Sequence, residues 1–505
     1  MTDTVAAAPG RHTSGADAPV YTENYKRLVL ALLVTAYTFN FIDRTIIATI
    51  GQAIKEDLKL TDTQLGLLGG LYFALLYTFL GIPLARFAER FSRVNIISGA
   101  IVIWSVFTGL CGIATNYVML ALFRFGVGVG EAGLSPPAHS LISDYFPPQR
   151  RASALAVYAF GIPMGSMLGA VIGGQILDHF TWRTAFMLVG LPGVLVALAI
   201  KLLVKEPPRG HSEPAQAADA VAEPPKPPAT LGSELREIGG VIAILFGKWP
   251  LLNMVMGAML VSFAGYAGGQ FAPPYFIRAF HLSYGTVGLM TGLVAGIGQG
   301  IGTLIGGSLT DRLQKRSPIW YALVPAIGCA VAYPMIVSIY VASTWQLAAV
   351  LLLLPGLFSY TYLGPTFGVV QNMVPVRRRA TATAILLFFL NLIGLGLGPP
   401  FAGMVIDHLS AFHFAHPDAA GLWDALAGWS GVHPADFQAA CPGGKAAKDA
   451  TDAAKAACGG ALVLGTRQGI IIAYAFGVWG AVHFALAAIG LTQALSKARS
   501  DRGEA

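Results

Sequence analysis

Twelve long apolar runs constrain this chain more than any other feature. They fall at about 28–54, 63–84, 94–114, 117–142, 151–176 and 184–204, then 249–278, 285–309, 318–340, 346–373, 380–405 and 468–494. A run of about 20 apolar residues is the length that crosses a bilayer as a helix. Lipid offers no partner to an open backbone, so each run must satisfy its own hydrogen bonds as a helix. Composition agrees: 12% of residues are charged, against roughly 25% in a soluble domain. A mean hydropathy of +0.62 and 55% hydrophobic residues exclude disordered, collagenous and coiled-coil classes. The expected fold class is an all-α membrane protein.

The formal charge of +7 then reads as topology rather than as a nucleic-acid footprint. With the N-terminus in the cytoplasm, the tails and inner loops collect 23 of the 33 Lys and Arg residues. The outer loops hold Lys55, Lys59, Arg183, Arg278, Lys445, Lys448, Lys455 and Arg467, while Arg44 and Arg124 lie inside helices. By the positive-inside rule both termini are expected in the cytoplasm, across a cell inner (plasma) membrane. Residues 1–24 lack an apolar signal-peptide core, so no cleaved leader is expected.

The expected domains are a tail over 1–27, a six-helix bundle over 28–204, a linker over 205–248, a second bundle over 249–494 and a tail over 495–505. Seven prolines within 205–230 predict an extended linker, and 231–248 predicts a short amphipathic helix at the inner surface. An outer insert at about 410–466 carries Cys441 and Cys458, which either pair in an oxidising compartment or remain free thiols. Cys111 and Cys329 lie within spans and read as packing residues.

The halves repeat each other. A shift of 222 places Leu65-Gly66-Leu67 on Val287-Gly288-Leu289, Glu89-Arg90 on Asp311-Arg312 and Arg93 on Lys315. A shift of 228 places Arg150-Arg151-Ala152 on Arg378-Arg379-Ala380, and at 229 Gly165, Gly169, Gly174 and Asp178 meet Gly394, Gly398, Gly403 and Asp407. Parallel six-span repeats are a transporter architecture that holds substrate near the midplane between its halves. The expectation is twelve helices in two pseudo-symmetric six-helix bundles.

These residues resemble the major facilitator superfamily along essentially the whole chain. Ala85-Arg86-Phe87-Ala88-Glu89-Arg90-Phe91-Ser92-Arg93 is similar to that superfamily's G-x-x-x-D-R-x-G-R loop, with Ala85 and Ser92 in place of two glycines. Leu120-x-x-x-Arg124-x-x-x-Gly128-x-Gly130 is similar to the span-four motif whose arginine is associated with proton coupling. Gly165-x-x-x-Gly169-Ala170-x-x-Gly173-Gly174 is similar to the span-five motif associated with antiporters. Asn40-Phe41-Ile42-Asp43-Arg44 and Gly128-Val129-Gly130-Glu131-Ala132 resemble the Spinster family, which implies lysolipid, sphingoid or related amphiphilic substrates.

Four charges stand inside the spans: Asp43, Arg44, Arg124 and Glu131. Each costs roughly 2.5–3.5 kcal/mol at a helix centre, so pairing is expected. At ~1.5 Å per residue from the outer ends, Asp43, Arg44 and Glu131 lie roughly 17–21 Å deep and Arg124 roughly 10 Å. Glu131 and Arg44 are therefore expected as midplane partners, with Arg124 nearer the outer mouth. The shifts place Gly265, Tyr266, Leu352 and Ser359 at these positions in the second half, so the fold itself does not demand the charges. They read as a proton-coupling and substrate site; either arginine can instead hold a substrate phosphate or carboxylate.

Glu89, Arg90 and Arg93 with Asp311, Arg312 and Lys315 form the expected cytoplasmic gate, since simple topology explains the cations but not an acid at the same place in both copies. Tyr158, Tyr360, Tyr362, Asn372 and Asn391 are cavity candidates, each equally readable as a packing residue. His139 and His483 read as lone helix histidines. No G-x-x-x-x-G-K-[ST], H-E-x-x-H or G-x-S-x-G occurs, so neither ATP drive nor enzymatic catalysis is expected, and no cofactor or metal. The expected function is a monomeric secondary transporter in the lipid bilayer, coupled to protons, for a small-molecule or lipid-like amphiphile or organic anion. A drug or organic-anion antiporter is the rival within that class, and a receptor or channel the rival outside it.

Overall fold

A computed structural model describes residues 21–212, 231–375 and 378–500. Among the described residues twelve helices are long and apolar enough to cross a membrane. Spans one to six are Glu23–Asp57, Asp62–Gly81, Arg93–Cys111, Tyr117–Tyr145, Ser153–His179 and Trp182–Leu203. Spans seven to twelve are Trp249–Phe280, Tyr284–Leu313, Trp320–Tyr340, Trp345–Met373, Thr381–Ala415 and Asp452–Ala487. The starts are chemically marked: Thr22, Ser92, Asn116, Thr181, Ser283, Thr344 and Thr451 each accept a backbone N–H of the first turn, and Thr61 forms a capping box with Gln64. Ser92, which stands where the family loop has glycine, therefore starts span three by capping it.

An even number of spans puts the ends and the linker on one face, termed the linker face, and the insert on the other, termed the insert face. Each bundle has its own apolar core, around Trp104, Leu134 and Tyr145 in the first and Met254, Phe271 and Tyr340 in the second. Two spans are irregular at repeat-equivalent places. Span two breaks at Gly70, and span eight has a π-helical stretch, Leu289–Val294, that contains Gly292, its counterpart at the 222 shift. Leu390–Leu397 in span eleven is a second π-helical stretch.

The insert is shorter than the sequence predicts, because span eleven continues to Ala415 and span twelve begins at Asp452. Its short helices Leu422–Ala427 and Pro434–Ala440 lead to Cys441, which is disulfide-bonded to Cys458 in the first turns of span twelve, with Cα atoms 5.8 Å apart. The segment around Cys441 reaches the first bundle. Lys445 pairs with Glu56 at 2.7 Å, and Gln438 Nε2 donates to the Lys59 carbonyl at 2.8 Å. Gly443 and Gly444 turn there with φ of 69° and 87°, a left-handed conformation suited to glycine. On the linker face, a helix at Leu231–Gly247 precedes span seven; 213–230, with most of the prolines, lies outside the described residues.

Candidate functional site

Spans one and four meet through the four membrane charges. Arg44 Nε donates to Glu131 Oε2 at 2.5 Å, and Arg124 Nη1 lies 3.4 Å from Asp43 Oδ1. Asp43 also accepts the Thr108 hydroxyl from span three, and Arg124 Nε donates to the Leu68 carbonyl at 3.3 Å. Arg124 thus joins the cluster rather than sitting apart towards the outer mouth. Its long side chain spans the depth difference expected from the helix ends. Span four approaches spans two and three closely because it has glycine where a side chain would collide: a Cβ at Gly128 would strike the Phe73 carbonyl, and one at Gly130 the backbone of Trp104.

The cluster is buried and incompletely paired. Asp43, Arg124 and Glu131 are buried, and only Arg44 keeps some exposure, with 11% of its side chain accessible. Glu131 Oε1, Arg124 Nη2 and both polar atoms of Asn40 are buried without a hydrogen-bond partner among the described residues. Arg44 is ringed by Phe41, Phe73 and Tyr77, with centroids 4.9, 5.0 and 4.2 Å from its guanidinium carbon. Tyr266 of span seven, its repeat counterpart, is 39% exposed. Tyr158 stacks on Tyr37 at 4.4 Å, with His139 edge-on. Tyr362 is buried, Tyr360 and Asn372 are half-buried, and Asn391 spends its amide on the Leu387 carbonyl. His483 bonds Asn253 at 2.8 Å.

The insert face is closed by contacts that repeat under the pseudo-symmetry. Asp407 of span eleven accepts the Asp62 and Thr63 amides that start span two, both at 2.8 Å, and the Thr63 hydroxyl at 2.6 Å. Its counterpart Asp178 of span five accepts the Gly285 amide that starts span eight, at 3.1 Å. Each aspartate therefore places a negative charge on the opposite bundle's helix N-terminus. Glycines complete the match: a Cβ at Gly66 would collide with the Pro399 carbonyl, and one at Gly288 with that of Ala170. Likewise one at Gly403 would collide with the Asp62 carbonyl, and one at Gly174 with that of Tyr284.

Superimposed on this symmetric zipper is an asymmetric charge lock. Arg278 of span seven donates to Asp62 at 2.6 and 3.3 Å, to Gln52 at 2.7 Å and to Thr466 at 2.6 Å; Lys55 pairs with Asp62 at 2.5 Å. Sequence reading missed this lock, having counted Lys55 and Arg278 as loop cations. The alignment of Asp178 with Asp407 was the signal that could have found the closure.

At the linker face the expected gate residues separate. Arg93 is buried and pairs with Asp144 and with Glu206 at 2.6 Å, also donating to Ser140 and the Pro207 carbonyl. Its partners, from span four and the chain after span six, are not those the loop repeat suggests. Arg90, Asp311, Arg312 and Lys315 are exposed, and no ion pair joins Asp311, Arg312 or Lys315 to another described residue. The Glu89 side chain lies outside the described residues. Arg209 donates to the Ala88 and Phe91 carbonyls, fastening the chain after span six to the end of span two.

Two bundles related by a repeat, closed on one face around a buried charge cluster, define a secondary transporter fold. The chain matches the model of the Major Facilitator Superfamily over residues 33–399, and it belongs to that family. A crystal structure described as a bacterial homolog to the human lysosomal transporter Spinster, in an inward-facing and unoccupied conformation, is similar with a TM-score of 0.79. The two are 31% identical, with 94% of this chain and 99% of that one covered. An MFS-type efflux pump of Mycolicibacterium smegmatis is 33% identical over 381 residues, 75% of this chain and 84% of its own. Protein spinster homolog 1 of Homo sapiens is 26% identical over 408 residues, 76% of this chain and 73% of its own. The chain is therefore a Spinster-like major facilitator transporter and not an enzyme.

Proposed function

We propose that the chain is a proton-coupled transporter of an amphiphile with an anionic head, working by alternating access, with Glu131 as the proton carrier and Arg44 as the group that proton and substrate share. The observation that carries this reading is the Arg44–Glu131 pair at 2.5 Å, whose cation keeps an exposed edge while Glu131 Oε1 has no hydrogen-bond partner among the described residues. A proton on Glu131 removes the charge that holds Arg44, freeing the guanidinium for a phosphate or carboxylate. Loss of the proton returns Arg44 to Glu131 and expels the anion. Asp43 and Arg124, with Thr108, hold span one against span four beside this exchange and offer a second proton site. The aromatic rings around Arg44 suit a substrate whose apolar body adjoins its charge.

On the positive-inside bias, the linker face is cytoplasmic, both termini are inside and the membrane is the cell's inner membrane. The 33% identity to an efflux pump supports a second substrate class, drug-like or small organic anions. Uptake into proteoliposomes across an imposed pH gradient, screened over lysolipids and organic anions, tests both. An Asp43→Asn, Glu131→Gln double variant should lose gradient-driven accumulation. Full proton drive in that variant sinks the coupling assignment.

A further inference from the structure

A groove of about 590 Å³ runs along the first bundle between spans three and six. These two spans pack against each other and against spans one, two, four and five of their own bundle. The groove's polar end is at the linker face: Asn95 is two residues from the start of span three, and Lys201 two residues from the end of span six. Lys201 Nζ donates to Asn95 Oδ1. One turn further in, Ser98 is 7% exposed and its hydroxyl has no hydrogen-bond partner among the described residues. Beyond it the lining is apolar, with Gly99, Val102 and Leu198. From Asn95 to Ile103 the groove is roughly 12 Å long, reaching well into a hydrocarbon layer about 30 Å thick.

We propose that this groove binds one anionic phospholipid of the leaflet at the linker face, with its phosphate on Lys201 and the Ser98 hydroxyl and one acyl chain lying over Gly99 and Val102. Three observations converge on that occupant. A cation stands at headgroup depth, where basic pockets between spans hold lipid phosphates. A buried hydroxyl that costs free energy when unpaired points to a polar ligand at that level. The rest of the lining, with Gly99, Val102, Ala197 and Leu198, is apolar and suits an acyl chain. Gly99 borders open space, since a Cβ there meets nothing within 4 Å, so a large side chain at this position would fill the groove.

Native mass spectrometry of the full-length protein, titrated with phosphatidylglycerol or phosphatidylcholine of the same chains, tests the assignment. The parent should retain one phosphatidylglycerol at least about tenfold more tightly than phosphatidylcholine. Lys201→Gln should bring the two lipids to near-equal affinity, and Gly99→Trp should remove the bound lipid whichever headgroup it carries. Leu195→Trp, on an exposed position of span six, should change neither. Should Gly99→Trp not fold, Gly99→Leu and Lys201→Gln read the chain and the headgroup separately. Equal parental affinities, or unchanged occupancy in the Gly99 variants, overturn the proposal. So does glycerol phosphate binding as tightly as phosphatidylglycerol, which assigns a soluble anion, or a dimer that Gly99→Trp dissociates, which assigns a second copy of the chain.

Discussion

Between the guanidiniums of Arg44 and Arg124 lies one aromatic ring, that of Phe73, with its centroid 5.0 and 5.4 Å from the two cations. Two like charges in a lipid-embedded bundle are tolerable because each has its own carboxylate and both share the ring's negative faces. The four charges were legible in the sequence because membrane helices can seldom carry them. Phe73 was not: a phenylalanine in an apolar run signals nothing until its neighbours are known. Glu206 was hidden for the opposite reason, as one acid in a polar stretch after span six. Burial pushes its carboxyl up, but hydrogen bonds from the Val94 amide, Arg93 and Ser92 outweigh that and leave it below the usual carboxylate range. A carboxylate so lowered stabilises the fold above its unfolded pKa and loses that contribution as pH falls through the folded value. Glu206→Gln should lower the Tm by a few degrees at pH 7, and the gap to the parent should close as the pH is taken below that value. A constant gap across the acid range contradicts this.

At the scale of elements, the ends of helices matter more than their middles. Spans two and eight begin on aspartates borrowed from spans five and eleven of the opposite bundle, and all four spans supply glycines that let backbone meet backbone. The glycine spacing was visible in the sequence, and close packing was the natural reading. That the packing lies between bundles rather than within one was not visible, since a small residue does not name its neighbour. Gly403→Leu would drive a side chain into the Asp62 carbonyl, an overlap that costs typically 1–3 kcal/mol in a filled contact. It should shift the population about tenfold or more away from the closed insert face, and Gly174→Leu should do the same at the symmetric contact with Tyr284. Distances between spin labels at Arg90 and Arg316 on the linker face should shorten in both variants. Unchanged distributions would show that the zipper does not set the equilibrium.

For the whole molecule, the two halves share one plan but are not equivalent. The repeat was readable end to end, whereas the lock on Arg278 has no symmetric partner and needed three-dimensional placement of Gln52, Asp62 and Thr466. Arg278→Met removes the cross-bundle bonds to Gln52 and Asp62 and the bond to Thr466 in its own bundle, and leaves Asp62 with Lys55. Breaking a buried pair in this way costs about 3 kcal/mol, on the order of 100-fold in an equilibrium. A cysteine placed at Leu65, beneath the closure, should react with impermeant thiol reagents far faster in that variant; an unchanged rate would remove Arg278 from the closure.

Asp43, Arg44, Arg124 and Glu131 all ride on the same bundle and sum to zero. When the empty carrier rocks, it therefore drags no net charge through the electric field of the membrane. On the proposed exchange, one proton on Glu131 and one singly charged head on Arg44 cancel as well, so the loaded carrier is equally blind to voltage. Each uncompensated charge would otherwise be worth roughly 2.3 kcal/mol per 100 mV. Flux of a monoanionic amphiphile should then follow the pH gradient and ignore a potassium diffusion potential set with valinomycin, and currents on solid-supported membranes should be near zero. A doubly charged phosphate head would break the balance and make the same protein electrogenic, so the electrical signature reads out the substrate's charge.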